Sequence, residues 1–280
     1  MISVLILTKN EAADLPGCLE SVSWSDDVHL VDSGSVDDTC AIAARYGAKV
    51  AVKTYADNSK VFGGDEAAHR NWSVRETAFK HPWVLLLDAD ERVSAELGQS
   101  VRQAVARDAP YAAYRIQRRD FLRGTWLKHV QASPYYIRLF RPERIRYERV
   151  INPVTLVDGP VGEVDGYLDH YPFSKGVRHW FERHNAYSSL EAAQIMANRQ
   201  AGARFSLTKA FFSRDFHERR YHQKEVFYRM PLRPLAKFML LYVAKFGFLD
   251  GRAGLQYALL QSIYEYMIVL KVRELESSAS

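Results

Sequence analysis

The chain has 280 residues, 48% hydrophobic and 25% charged, the profile of an ordinary globular protein with material for one large domain or a domain plus an appendage. Its two cysteines, Cys18 and Cys40, exclude a disulfide framework and a cysteine metal motif, and they fit a reducing compartment. The formal charge of +5 is uneven: Ala201 to Arg252 holds 11 Lys or Arg against 4 Asp or Glu, a local excess of +7 that leaves −2 for the remainder.

The opening MISVLILTKN lacks a basic leader and a small-residue cleavage site and reads as a first strand. KNEAADLPGCLESV follows, with Leu15, Cys18, Leu19 and Val22 at helical spacing. DDVHLVDSG predicts a second strand, SVDDTCAIAARYG a helix closed by Gly47, and AKVAVKTY a third strand. A helix is expected over 65–80 and a fourth strand over WVLLLDAD. This alternation predicts a parallel sheet with right-handed crossovers, in which ligands sit beyond the carboxyl ends of the strands. Thr8-Lys9-Asn10-Glu11, Asp32-Ser33-Gly34 and Asp88-Ala89-Asp90 all fall at such ends.

From about residue 110 the pattern becomes β-rich. YAAYRIQRRDFL, PYYIRLFRPE, VTLVDG and PVGEVDGYLDHY predict strands, the last two as short segments separated by Asp-Gly turns. Past Lys175 the chain turns helical. Val177, Trp180, Phe181, His184 and Tyr187 share one face, and over 253–276 so do Leu255, Leu259, Ile263, Tyr266 and Leu270.

The acids carry two readings. Asp88 and Asp90, spaced D-x-D at a strand end, suit one divalent cation that also holds substrate phosphates and neutralises a leaving diphosphate. They equally suit a solvated turn before a helix capped by Ser94. Asp32, followed by Gly34 and Asp37, suits a base or ribose edge, or an Asx turn near a helix N-terminus. Both clusters belong to one crevice, which favours a ligand site over two unrelated turns.

TKNE at 8–11, VDSGSVDDT at 31–39, HRN at 69–71 and LDADERV at 87–93 resemble the inverting family 2 glycosyltransferases in order and spacing. The branch is the one similar to lipopolysaccharide-core glucosyltransferases, and HYPFSKG (170–176), ERHNAYSSLEA (182–192) and FGFLDGRAG (246–254) extend the match along the chain. The resemblance implies an α/β GT-A (nucleotide-diphosphosugar transferase) fold, Rossmann-like with a mixed sheet, and a C-terminal helical, basic extension. Its divisions would be a catalytic domain over 1–175, with a nucleotide-sugar half at 1–95 and an acceptor half at 96–175, then the extension at 176–280. It implies Mg²⁺ or Mn²⁺, a nucleotide-diphosphosugar donor such as a UDP-sugar, and a bacterial surface-glycan or lipid-linked acceptor.

By the same resemblance Thr8, Asn10, Glu11, Asp32, Ser33 and Asp37 would bind the donor, with Arg70 at the diphosphate and Asp88 by the ribose. Asp90 would ligate the metal, joined by His170, and Asp88, Asp90 and Glu91 would form the catalytic cluster. Lys175, His184 and Asn185 would face the acceptor. Relatives carry a glutamate base in V-H-E or V-N-E ahead of an Asp-Gly turn. Here the segment reads Ile151-Asn152-Pro153, with proline in the acid's place, so Glu148 and Glu163 are the nearest candidates. That departure keeps open a non-catalytic nucleotide-sugar-binding partner of a glycan-assembly complex. A nucleotidyltransferase would show a Gly-rich, basic loop after the first strand, where this chain has TKNEAADLPG.

No run reaches the ~18 apolar residues of a spanning helix; FMLLYVAKFGFL is broken by Lys245 and Gly247. Residues 204–245 interleave basic and aromatic side chains, as expected of a helical subdomain packed on the core or of a segment lying on an anionic membrane. No nucleic-acid-binding module accompanies the charge. A cytoplasmic enzyme, peripheral at the inner face of the cytoplasmic membrane, is the expectation.

Overall fold

A computed structural model describes residues 1–58, 61–107, 109–148, 153–202, 206–213, 216–230 and 232–279. In chain order the elements are β1 (Ser3–Thr8), α1 (Leu15–Ser21), β2 (Val28–Asp32), α2 (Thr39–Arg45), β3 (Lys49–Val52), α3 (Glu66–Glu76), β4 (Val84–Asp88), β5 (Glu91–Val93) and α4 (Ala95–Ala106). Then come β6 (Ala113–Leu122), β7 (Thr125–Trp126), β8 (Tyr135–Phe140), β9 (Ile145–Glu148), β10 (Val154–Val157) and β11 (Val161–His170). The helices α5 (Gly176–Gln200), α6 (Leu207–Phe212), α7 (Phe216–Arg229), α8 (Arg233–Phe238) and α9 (Gly251–Ala279) follow. Two compact units result, one of 1–121 with 133–174, the other of 122–132 with 175–280.

In the first unit the strands run β3-β2-β1-β4-β8-β6-β11-β5. The first four are parallel, as the alternation predicts, and β8 enters antiparallel to both β4 and β6, so the sheet is mixed. The period-two alternation of β1 explains why all six of its residues are buried. Val4 and Ile6 pack with Leu15, Cys18 and Leu19 of α1 on one face. Leu5 and Leu7 pack with Ala67 and Val74 of α3 on the other. β3 was predicted by the same criterion, but its four residues are exposed because it is the edge strand.

At the amino ends of the strands a buried carboxylate ties the sheet together. Asp27 accepts from the Ser3 hydroxyl at 2.5 Å, from Lys49 Nζ at 2.7 Å and from the Lys80 amide at 2.8 Å. Burial opposes its ionisation, yet Lys49 and Ser3 hold the carboxyl well below the ordinary range. The carboxyl ends are left for chemistry. Thr8 of β1 pairs with Asp32 of β2, and Leu7 with Asp88 of β4, so the three predicted clusters stand side by side.

Two predicted boundaries shift. The helix after β1 begins only at Leu15, because 9–14 form the turn that approaches the β2 loop. Residues 161–170 form one ten-residue strand where short segments were expected. Its Asp165-Gly166 pair is an irregularity inside the strand, between Glu163 and Tyr167, and does not end it.

In the second unit α5 and α9 pack through Ala192, Ile195, Ile268 and Val272. Asp250 receives the amides of His129 at 2.9 Å and Val130 at 2.8 Å, which joins 122–132 to the helices. Of the predicted α5 face only Trp180 is fully buried; Val177, Phe181 and Tyr187 remain exposed.

Gly166 has φ +93°, and a Cβ there would lie 2.6 Å from the backbone nitrogen of Leu97. Gly166→Ala is expected to lower unfolding free energy by more than about 2 kcal/mol in urea titration, since positive φ and a backbone clash act together.

Candidate active site

Asp32 is enclosed at the end of β2. Its Oδ1 accepts from the Thr8 hydroxyl at 2.9 Å and the Ser35 hydroxyl at 2.5 Å, and its Oδ2 from the amides of Gly34 at 2.9 Å and Ser35 at 2.6 Å. The turn needs Gly34, whose φ is +80°. Asn10, itself at φ +54°, donates its amide to Ser35 Oγ and accepts the Val36 amide on its side chain. Lys9 closes the assembly by donating to the carbonyls of Ser33, Gly34 and Asn58 at 2.8, 3.0 and 2.7 Å. Asp37 takes the Ala12 amide and the Thr39 hydroxyl, and Thr39 accepts the Glu11 amide. Burial opposes ionisation of Asp37, but the Thr39 hydroxyl and the amides hold its carboxyl below the ordinary range. The predicted donor residues Thr8, Asn10, Glu11, Asp32, Ser33 and Asp37 are thus one hydrogen-bonded rim.

The HRN motif divides into three tasks. His69 is fully buried, stacks on Phe62 at 4.3 Å and sits 2.5 Å from the Tyr55 hydroxyl. Burial, helped by Lys53, lowers it to about 3, so the ring is neutral. Asn71 bonds the Tyr147 amide and carbonyl, both at 2.8 Å, docking α3 on β9. Arg70 points to the site: it pairs with Glu66 one turn back at 2.7 Å and with Asp88 Oδ1 at 3.1 Å.

Asp88 and Asp90 are neither a solvated turn nor equivalent. Asp88 Oδ2 accepts from Arg138 Nη2 at 2.7 Å, so each carboxylate oxygen faces a guanidinium. Arg138 also donates to Glu91 Oε1 at 2.6 Å, while Glu91 Oε2 accepts the Asp88 amide at 2.9 Å. Burial opposes the charges of Asp88 and Arg138, but mutual attraction wins: Asp88 lies well below the carboxylate range and Arg138 well above its ordinary value. Glu91 is pushed up by burial, with Arg138 opposing. Glu91 is also wholly enclosed. Expected in the catalytic cluster, Glu91 is placed beneath it, where it holds the Asp88 amide and Arg138.

Asp90 belongs to a different cluster. Its Oδ2 lies 3.2 Å from His170 Nε2, and His170 Nδ1 is bonded to Asp120, which also pairs with Arg118 at 3.1 Å. Burial works against a charged His170, yet Asp120 and Asp90 raise it to about 9. The Asp120 contact fixes the ring so that Nε2 faces Asp90, the arrangement in which a carboxylate orients a metal-binding imidazole. Behind both acids Cys18 directs its sulfur at the Asp88 carbonyl, 3.7 Å away, and burial pushes the thiol well above its ordinary range.

Two further candidates of the first unit, Glu163 and Glu148, lie apart from these clusters. Glu163 is ion-paired with Arg115 at 2.7 Å, seven residues before His170 along β11, roughly 20 Å away at strand rise. A base must come within about 3 Å of the proton it takes, so Glu163 is not brought to the site. Glu148 points opposite to the buried Tyr147 and pairs with Arg146 at 3.3 Å. Ile151 and Asn152 lie outside the described residues. In the second unit Lys175 is the N-cap of α5. His184 stacks on Trp180 at 3.7 Å, and Asn185 is held by Lys271 Nζ at 2.7 Å; both serve the helix packing.

Sequence reading missed Arg138, Asp120 and Glu66. Two carried a usable signal. Arg138 interrupts the apolar YYIRLF, and a charge buried in a strand requires a partner. Glu66 stands four residues before Arg70 on one helix face.

The family model for glycosyl transferase family 2 matches residues 3–160. An uncharacterized glycosyltransferase of Rickettsia typhi is 30% identical over 237 residues, covering 79% of this chain and 77% of its own. The lipopolysaccharide core biosynthesis glycosyltransferase LpsC of Rhizobium meliloti is 24% identical over 271 residues, covering 95% and 92%. Among solved structures, S. aureus TarS 1-349 in complex with UDP is similar over 95% of this chain and 90% of that one, at 14% identity and a TM-score of 0.43. The chain belongs to glycosyl transferase family 2: it is a glycosyltransferase with the GT-A fold.

Arg138→Met leaves Asp88 and Glu91 without their buried counter-charge. It is expected to cost about 3–5 kcal/mol in urea unfolding, and adding Glu91→Gln is expected to return part of that loss.

Proposed function

We propose that this enzyme transfers a sugar, with inversion, from a nucleotide-diphosphosugar, a UDP-sugar in the first instance, to a bacterial surface-glycan or lipid-linked acceptor in a reaction that requires a divalent cation. The observation that carries the reading is the separation of the two acids: Asp88 is neutralised by Arg70 and Arg138, while the ion pair of Asp90 among the described residues is with His170. Metal ligation therefore falls to Asp90, an oxygen donor acceptable to Mn²⁺ or Mg²⁺, and His170 would join it as a nitrogen donor by giving up the Nε2 proton that now faces Asp90. Among the described residues no three His, Cys, Asp or Glu side chains form a cage, which suits an ion completed by the donor's phosphates. When bound, it supplies charge neutralisation at the departing diphosphate.

The chain's own groups then have distinct parts. The Thr8–Asp32–Ser35 turn, kept rigid by Lys9, offers the surface against which a nucleoside is positioned. Asp88, oriented by two guanidiniums, presents a fixed carboxylate toward the ribose. Arg70 and Arg138 contribute positive potential beside the diphosphate while remaining bound to Asp88. The acceptor hydroxyl oxygen attacks the anomeric carbon from the face opposite the diphosphate, the bond to the leaving oxygen breaks as the new one forms, and the hydroxyl proton passes to a base or to water.

The lipopolysaccharide-core assignment of the Rhizobium relative supports an acceptor of that class. Among the described residues no helix is long and apolar enough to cross a membrane. Peripheral attachment at the cytoplasmic face would use the basic stretch 204–245, where Phe211 and Phe212 are 71% and 80% exposed beside Lys209. Residues 204–205, 214–215 and 231 of that stretch lie outside the described residues.

Asp90→Asn keeps the shape of the His170 contact and removes the anionic ligand. Release of nucleoside diphosphate from the donor in Mn²⁺ is expected to fall by a factor on the order of 10²–10³, with little change in melting temperature. A variant that keeps full release would show that Asp90 is not the metal ligand. A wild-type protein that binds donor but releases nothing would instead be a binding module.

A further inference from the structure

Helix α9 packs inward through Ala258, Glu265, Ile268 and Val272. At about 100° per residue the opposite side of the helix carries Leu255, Leu259, Ile263, Tyr266 and Leu270. These five are 37%, 45%, 41%, 52% and 40% exposed, so the outward side is as apolar as the inward one. A surface helix ordinarily turns charges outward, and one that is apolar all round belongs in a nonpolar medium. Arg252 and Arg273 stand on the same side at the two ends of this stripe.

Beside the stripe, Val269, Val272 and Arg273 form one wall of a groove of about 570 Å³, faced by Arg199, Arg229 and Arg233. Carboxylates engage three of these guanidiniums. Arg199 meets Glu276, which also lines the groove, and Arg229 meets Glu225 at 2.7 Å. Arg233 is 4% exposed, lies over the Tyr228 ring and donates one nitrogen to Glu265 at 2.8 Å. Its Nε has no hydrogen-bond partner among the described residues, a costly state for a buried guanidinium donor. Arg273 is exposed and makes no ion pair among the described residues. Arg273 and the Nε of Arg233 thus give the groove N–H donors that its carboxylates do not take.

We propose that this groove seats the anionic headgroup of a membrane lipid, whose apolar region meets the outward stripe of α9. The chemistry calls for an oxyanion able to take several guanidinium donors at once, attached to hydrocarbon. Arg273 belongs to groove and stripe alike and joins the two. A free phosphate would use the arginines and leave the stripe in water. A helical seam with a second copy would want charged flanking residues along its length to set its register, and here, between Gln256 and Glu274 near the two ends, the flanks are Leu260, Ser262, Met267 and Val269. The proposal rests on the peripheral attachment described above and adds a headgroup site to it; it does not depend on the transfer reaction.

The test is co-sedimentation of the full chain with vesicles of phosphatidylcholine alone or mixed with phosphatidylglycerol, with inorganic phosphate as the soluble arm. Arg273→Glu and the double variant Leu259→Ser/Ile263→Ser alter exposed side chains and are expected to melt like the wild type. Wild type is expected on the anionic vesicles only. Arg273→Glu should weaken that binding by roughly tenfold or more, given the energy of each basic side chain near an anionic surface, and the double variant should also weaken it. Inorganic phosphate should neither displace the protein from vesicles nor raise its melting temperature. Arg273→Glu binding within twofold of wild type overturns the proposal, as does stabilisation by phosphate without vesicle binding. A dimer in sedimentation velocity that the double variant dissolves, with vesicles left unbound, overturns it in favour of a second copy. Nucleoside diphosphate release without vesicles should be equal in wild type and Arg273→Glu. If wild type releases none yet binds anionic vesicles, the transfer reading fails and the lipid site stands.

Discussion

The crevice depends on one buried guanidinium. Arg138 enters from β8, the strand that turns the parallel half of the sheet into a mixed one, and lies between Asp88 and Glu91. A buried ion pair is a weak source of stability, because desolvation offsets most of the attraction. Its effect here is geometric. With Arg70 on the other oxygen, Asp88 stays ionised and oriented, and Glu91 holds the Asp88 amide, so the end of β4 has one conformation.

That arrangement separates the roles of two acids that look alike in the sequence. Asp88 carries a guanidinium on each oxygen before any ligand arrives. Asp90 turns toward His170 at the end of β11, whose other nitrogen is held by Asp120. Parallel pairing of β6 with β11 sets His170 opposite Asp120, so the imidazole owes its orientation to register. The rim at β1 and β2 is built differently, from hydroxyls and amides around Asp32, and Lys9 ties its loops together.

Much of this was legible before the fold was known. The four parallel strands, the helices between them and the alignment of Thr8, Asp32 and Asp88 at one edge follow from apolar runs ending in polar turns. Family resemblance supplied the remaining expectation of transfer chemistry. What stayed hidden depends on long-range pairing. Arg138 and Asp120 lie about fifty residues from their partners Asp88 and His170, and only the register of β8, β6 and β11 brings them together. The outward apolar side of α9 misleads in the opposite sense: helical spacing announces a packed face, and spacing alone does not say whether protein covers it.

The most direct test of the account is a thermal-shift series with nucleotide-sugars, each in the presence and absence of Mn²⁺. A ligand that binds only the folded state raises its stability by mass action, about 2.7 kcal/mol at a hundredfold excess over Kd. A donor held jointly by the Asp32 rim and by a metal on Asp90 and His170 should raise the melting temperature by several degrees with Mn²⁺, and much less without it. The same shift with and without Mn²⁺, or none with any nucleotide-sugar, would contradict the account.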